Sequence, residues 1–130
     1  FTVEANDVKY DPILEAYKLG FSESESATSY NIYITDFADP EFQGSVFDLE
    51  LQGVRSGVYI DDIHLLVEEI VYIQCPEVNG EGEIGYAYYC DGEILYVMYD
   101  ERLSLGETYY FAVTSLIGDS ESQIDGFVYT

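Results

Sequence analysis

Apolar and polar residues alternate in short runs along most of this chain, and each run ends at a small polar or glycine-bearing turn. Residues 1–10 predict a strand with a turn at Asn6-Asp7, and Pro12 breaks it. Beyond Pro12, Ile13, Glu15, Tyr17, Leu19 and Phe21 fall at every second position, a strand with one mostly apolar face. The small polar run 22–29 predicts a loop. In 30–37, Tyr30, Ile32 and Ile34 share one face and Asn31, Tyr33 and Thr35 the other, which predicts a half-buried strand. In 45–54, Val46, Asp48 and Glu50 oppose Phe47, Leu49 and Leu51, with the second set inward.

One stretch carries two periods. In 61–72, Ile63, Leu66, Val67 and Ile70 fall at i, i+3, i+4 and i+7 behind two acids, a helical stripe with favourable N-terminal charge. The same run is rich in β-branched residues, which suit a strand. The stripe predicts a short helix. After it, Asp91-Gly92 sits between two β-rich runs, the signature of a two-residue hairpin turn. That turn sets Cys90 opposite Glu93, Tyr89 opposite Ile94 and Tyr88 opposite Leu95. Residues 76–84 hold three acids and two glycines and predict an exposed turn. Two last strands, in 108–117 and 123–130, flank an acidic turn at 118–122. Successive strands with frequent turns, no repeat and no linker predict a single all-β sandwich over residues 1–130.

Composition changes the picture in one direction. Fourteen Tyr and seven Phe without a Trp favour pleated, half-buried surfaces. Against 26 acidic residues stand Lys9, Lys18, Arg55 and Arg102, a net charge of −22. Nucleic-acid binding needs Lys and Arg to neutralise phosphates, so it is excluded as a function, and docking on anionic lipid fails for the same reason. No run approaches the roughly 20 apolar residues of a membrane-spanning helix, so no membrane insertion is expected. The start at Phe1, without a basic segment before an apolar run, leads to the expectation of a removed signal peptide or an excised fragment. Two cysteines in a short chain fit an oxidising, extracellular compartment.

Catalytic chemistry is thin. Nucleophilic triads need a histidine, and the sole one, His64, lies in a strongly patterned run where a structural role is the plainer reading. A zinc site needs three or four Cys or His ligands, and the whole chain offers three candidates. The chain reads as no enzyme. Calcium is the cofactor that the acids admit: Asp61 and Asp62, Asn6-Asp7 with Asp11, and the 119–121 turn each offer oxygens, but none follows the spacing of a calcium loop. Tyr86, Tyr88, Tyr89, Tyr96 and Tyr99 crowd the hairpin region. Alternation puts Tyr86 and Tyr88 on one face and Tyr89 on the other, a candidate contact surface for a carbohydrate or a neighbouring subunit.

Two stretches, 27–35 (ATSYNIYIT) and 103–122 (LSLGETYYFAVTSLIGDSES), resemble the fibronectin type III fold of bacterial and archaeal extracellular proteins, and cover about a quarter of the chain. In that family a corner of the form Leu-x-Pro-Gly-x-x-Tyr precedes the sixth strand. Leu103, Leu105, Gly106 and Tyr109 occupy its places, with Leu105 where the family has Pro. The resemblance implies an immunoglobulin/fibronectin type III-like antiparallel sandwich with an enlarged central insertion over about 36–102. It also implies a structural or adhesion module at the cell surface. Separately from the resemblance, strand addition at exposed sheet edges leads to the expectation of a surface-filament subunit, with a carbohydrate-binding or calcium-dependent adhesion module on a larger secreted protein as the alternative.

A hairpin centred on Gly82-Glu83 brings Cys75 opposite Cys90, and a disulfide there closes a loop of about 15 residues, worth roughly 3 kcal/mol; a register pairing 70–75 with the start of 84–90 separates them. The charge generates a prediction of its own. Self-repulsion at −22 lowers stability where screening is weak, so the melting temperature is expected to climb between about 10 mM and about 1 M NaCl. A flat or falling curve in a thermal melt means the acids are already compensated.

Overall fold

Asp11 turns the chain back at its first hairpin. Its Oδ1 accepts the backbone N–H groups of Ile13 (2.9 Å) and Leu14 (3.2 Å), closing the 12–15 turn around Pro12. The structure, a computed structural model, describes residues 2–3, 5–46, 59–71, 84–90, 92–98 and 103–130, with 2–3, 5–6, 59–62 and 90 in backbone alone. The strands are β1 (Thr2–Val3), β2 (Ala5–Asp11), β3 (Ala16–Ser22), β4 (Ser29–Thr35), β5 (Gln43–Gly44), β6 (Tyr59–Leu66), β7 (Ala87–Cys90), β8 (Glu93–Met98), β9 (Tyr110–Ile117), β10 (Ser120–Glu121), β11 (Gln123–Asp125) and β12 (Val128–Tyr129). A single 3-10 turn, Val67–Glu69, follows β6.

Three sheets result. One runs β2-β3-β8-β7; a second runs β10-β9-β4-β6, with β12 also on β9; a third, small one runs β1-β11-β5. Pairing is antiparallel except between β1 and β11. The first two sheets face each other across the main core. Val8, Leu19, Phe21, Ile94 and Met98 from one meet Tyr30, Ile32, Ile34, Phe111 and Val113 from the other. Rings bridge the layers, Tyr17 to Phe111 at 6.1 Å and Phe21 to Tyr30 at 5.1 Å. The third sheet lies on the far side of the second, over a smaller cluster of Ala38, Phe42, Ala112, Ile124 and Phe127.

The Asp91-Gly92 hairpin forms in the expected register, Cys90 to Glu93, Tyr89 to Ile94 and Tyr88 to Leu95. Gly92 takes a φ of 86°, the left-handed backbone such turns need. The 61–72 run departs from the expected helix. Residues 59–66 pair with β4, from Ser29 opposite Leu66 to Thr35 opposite Tyr59, and only 67–69 coil. Period two defeats the helical stripe: Leu65 is buried and Ile63 packs on the core, while His64 and Leu66 are exposed. Pairing with β4 satisfies the β4-facing backbone groups along the strand and adds tertiary packing, which a short isolated helix lacks.

Two other boundaries shift. The second strand begins at Ala16, leaving Ile13 exposed in the turn. The 123–130 strand divides in two at Gly126, whose φ is 79° and where an added Cβ would stand 3.0 Å from the Pro40 carbonyl oxygen. The span 36–102 is no appendage, since β6, β7 and β8 complete both main sheets. Of the 45–54 run, residues 47–54 lie outside the described residues, as does the 76–83 part of the acidic turn.

The corner before β9 is built as its residues imply. Gly106 takes a φ of 95°, Leu103 packs on the main core, and the hydroxyl of buried Tyr109 accepts the Ser104 backbone N–H at 2.6 Å. A matching bond ties the 22–28 loop, where the hydroxyl of buried Tyr30 accepts the Ser24 N–H at 3.0 Å. Tyr109→Phe is therefore expected to cost about 0.5–1.5 kcal/mol by stranding one N–H. Tyr109→Ala adds a cavity and costs about 3–5 kcal/mol. Tyr110, on the opposite face and half-exposed, should tolerate Ala better. Chemical denaturation of the three variants decides it, and a Tyr110→Ala loss larger than that of Tyr109→Ala contradicts the strand phase.

Candidate functional site

Alternation along β4 and β9 sends Asn31, Tyr33, Thr35, Tyr110, Ala112 and Thr114 to the outer face of the second sheet. The sequence marks the β4 half of this face as the solvent side. Instead Tyr33 and Thr35 are buried. The cause is the path of the last segment. After β10, Ser122 still donates its N–H to Ser115 O of β9 (2.8 Å), residues 123–127 then leave β9, and the chain pairs with it again at β12. The excursion is stitched to the 36–42 loop by Gly126 N–H to Phe42 O (2.8 Å) and Phe127 N–H to Pro40 O (3.0 Å). It lays Ile124 and Phe127 over Ala112. What remains accessible are two patches, one at each end of the cover.

At one end is a polar network spanning four strands. Glu121 of β10 presents Oε2 to the Tyr33 hydroxyl of β4, the Thr114 hydroxyl of β9 and the Asn31 amide, the last at 3.0 Å. Asn31 Oδ1 in turn lies 2.6 Å from His64 Nδ1 on β6, which donates in its Nδ1–H tautomer. Burial, and then the carboxylate it serves, push the Tyr33 phenol well above its ordinary value of 10. With all three donors turned to Glu121, the network fastens the two-residue β10 across the sheet. Its geometry is that of a clamp.

At the other end is an aromatic ladder. Thr35, Tyr110 and Tyr129 are cross-strand neighbours on β4, β9 and β12. Phe37 turns back over Tyr110 because the Thr35 hydroxyl accepts its N–H (3.4 Å) and donates to its carbonyl (3.2 Å). The Phe37 and Tyr110 rings are 6.4 Å apart at 65°, and those of Tyr110 and Tyr129 are 5.6 Å apart at 41°. Phe37 is 52% and Tyr129 58% exposed. Sequence reasoning missed this trio because its members are widely separated along the chain. The signal that locates it is the phase of β9 combined with the final strand's pairing to it.

The tyrosines expected as a surface differ in exposure. Tyr96 is buried in the main core and Tyr89 packs against it, its hydroxyl donating to Glu23. Tyr88 is half-buried, Tyr86 is 48% exposed, and Tyr99 lies outside the described residues. The inner face of β7 and β8 takes the large rings because it closes the sandwich. Asp61 and Asp62 sit at consecutive positions of β6, an extended strand in place of an oxygen-lined loop; their side chains are not described. Among the described residues no three His, Cys, Asp or Glu side chains gather as a metal site.

Cys75 lies outside the described residues and Cys90 is described in backbone alone, and no disulfide is present among the described residues. Near them Val71 bridges Tyr88 in the parallel sense, with Val71 N–H to Ala87 O and Tyr89 N–H to Val71 O both 2.9 Å. An antiparallel hairpin centred on Gly82-Glu83 would set Val71 elsewhere, so this premise of the Cys75–Cys90 pairing does not hold at residue 71. A groove of about 500 Å³ opens beside the corner, between Tyr10 and Tyr17 on one side and Leu105, Glu107 and Thr130 on the other.

Tyr33 supplies the pH prediction. A phenol whose folded pKa is raised contributes stability in full below its unfolded value of 10, and that contribution is lost as pH climbs past 10 toward the folded value. Burial raises Tyr17 as well, so it adds to the same decline. Denaturation midpoints should therefore hold level through neutral pH and fall above about pH 10, with a shallower fall in Tyr33→Phe. An unchanged slope in that variant contradicts the clamp. No protein-family model, curated protein or solved structure matches this chain.

Proposed function

We propose that this chain is an immunoglobulin/fibronectin type III-like sandwich acting outside the cell as a non-catalytic structural or adhesion module, and that it joins its neighbours in a surface filament through strand or sheet-edge contacts. The observation that carries the reading is the corner, in which the Tyr109 hydroxyl accepts the Ser104 N–H where β9 begins. Strand order adds support. The order β2-β3-β8-β7 facing β6-β4-β9-β12 parallels the A-B-E-D and C-F-G sheets of immunoglobulin-like domains, with β6 as one further strand.

Support for a contact role comes from the edges and the outer face. Among the described residues β2 and β6 stand at sheet edges with one side unpaired, and an unpaired edge is a template for a strand from another chain. The Phe37–Tyr110–Tyr129 ladder adds an exposed aromatic surface. Its rings are tilted against each other, which disfavours the flat platform that a sugar chain stacks on. That weighs against the carbohydrate-binding alternative, while a calcium-dependent module finds support only in the overall acidity.

Solution mass and electron microscopy of the native material test the reading. A filament subunit is expected to give large, concentration-dependent species, more readily as salt screens the −22 charge. A folded chain that stays monomeric at every concentration and salt level contradicts the filament and leaves an appended module.

A further inference from the structure

We propose that the Phe37–Tyr110–Tyr129 ladder docks a cationic segment of a partner protein, an Arg- or Lys-bearing stretch held by ring faces and by the carboxylates beside them. The proposal rests on the contact-module reading and names the chemistry of one of its contacts.

The first argument is rigidity. Tyr110 is half-buried on the second cluster, and Tyr129 is fixed opposite it in the β9–β12 ladder. The strand end is pinned by Thr130 N–H to Tyr109 O (3.2 Å) and Tyr109 N–H to Thr130 Oγ1 (3.1 Å). Phe37 is held by its two bonds to the Thr35 hydroxyl. Two rings over half exposed are thus presented on a fixed backbone, each in contact with Tyr110, which lowers the ordering cost of a contact with them.

The second argument is charge. Exposed Asp39 and Glu41 follow Phe37 in the chain, and exposed Glu107 neighbours the strand end, its carbonyl accepting the Thr130 hydroxyl. The described lysines are engaged by carboxylates, Lys9 by Asp7 at 3.4 Å and Lys18 by Asp11 at 3.0 Å. At low salt the net charge of −22 favours a cationic segment at this patch over the acidic surface of another copy, whose filament contacts are assigned to the strand edges. A guanidinium or ammonium gains from both components, since it needs one ring face within about 6 Å and gains further from nearby carboxylates. The tilt between rings, which spoils a sugar platform, costs a cation nothing.

Calorimetric titration with an arginine-bearing Gly/Ser peptide tests this, alongside the same peptide with glutamine for arginine and a neutral oligosaccharide. The arginine peptide should bind, and weaken steeply from about 0.05 to about 0.5 M NaCl. Phe37→Ala and Tyr129→Ala should each weaken it roughly two- to five-fold. Both residues are surface-exposed, so the variants should fold, and circular dichroism checks that they do. Tyr86→Ala, an exposed tyrosine on the other main sheet, should bind as the parent does. An equal loss in Tyr86→Ala, an unaffected Phe37/Tyr129 double variant, equal binding of the glutamine peptide, or salt-independent binding of the oligosaccharide at the ladder overturns the proposal. Peptide binding by a chain that stays monomeric supports the ladder and defeats only the filament. Filaments that form normally while no peptide binds overturn the ladder and leave the module.

Discussion

The phase of β9 governs both faces of the larger sheet, because a slip of one residue would exchange them. As it stands, Tyr109, Phe111 and Val113 point into the main core. Tyr110, Ala112 and Thr114 point outward, where they meet the ladder, the second cluster and the Glu121 network in turn. Among the described residues β9 also pairs with three strands, β4 along its length and β10 and β12 at its two ends. The Tyr109–Ser104 bond matters for this reason. Placed at the entry to β9, it sets which residue is the first to face inward, and every later position inherits that choice.

Acidity is the second constraint, and the two lysines among the described residues are each paired with an aspartate. Lys18 is paired at 3.0 Å with Asp11, and both side chains are nearly buried. Asp11 also caps the first hairpin turn. A buried pair of this kind adds little net stability, but loss of one partner leaves an uncompensated charge costing about 3–5 kcal/mol. Its worth therefore lies in fixing the β2–β3 register, Lys9 opposite Lys18 and Asp11 opposite Ala16, which places two like charges face to face. Lys9 and Lys18 are tolerated there because each has its own aspartate.

Much of the sandwich was legible because period-two alternation is a local signal. The Asp91-Gly92 register, the inward rows of β3 and β4, and the corner all follow from residues a few positions apart. The helix expected in 61–72 failed for a physical reason. Its apolar spacing satisfied both periods, and pairing with β4, a partner distant in the chain, decided between them. The outer face failed for a similar reason. Nothing within Tyr33 and Thr35 tells that a segment distant in the chain will shield them, so two positions that alternate like wet ones are buried. The hairpin tyrosines repeat the lesson in reverse, since Tyr89 and Tyr96 were offered as surface and pack inward.

The candidate site is therefore a product of long-range closure, and that explains its shape. A final strand that followed β9 continuously would leave the whole outer face of the second sheet open, with Ala112 and Thr35 exposed on it. The excursion at 123–127, tied to the 36–42 loop through Gly126 and Phe127, covers the middle of that face. Cover of this kind blunts a broad apolar sheet against indiscriminate association. Return of the chain at Val128–Tyr129 then re-exposes a limited aromatic strip beside Phe37. A closed centre with an aromatic strip at its margin limits how much apolar surface that face presents to solvent.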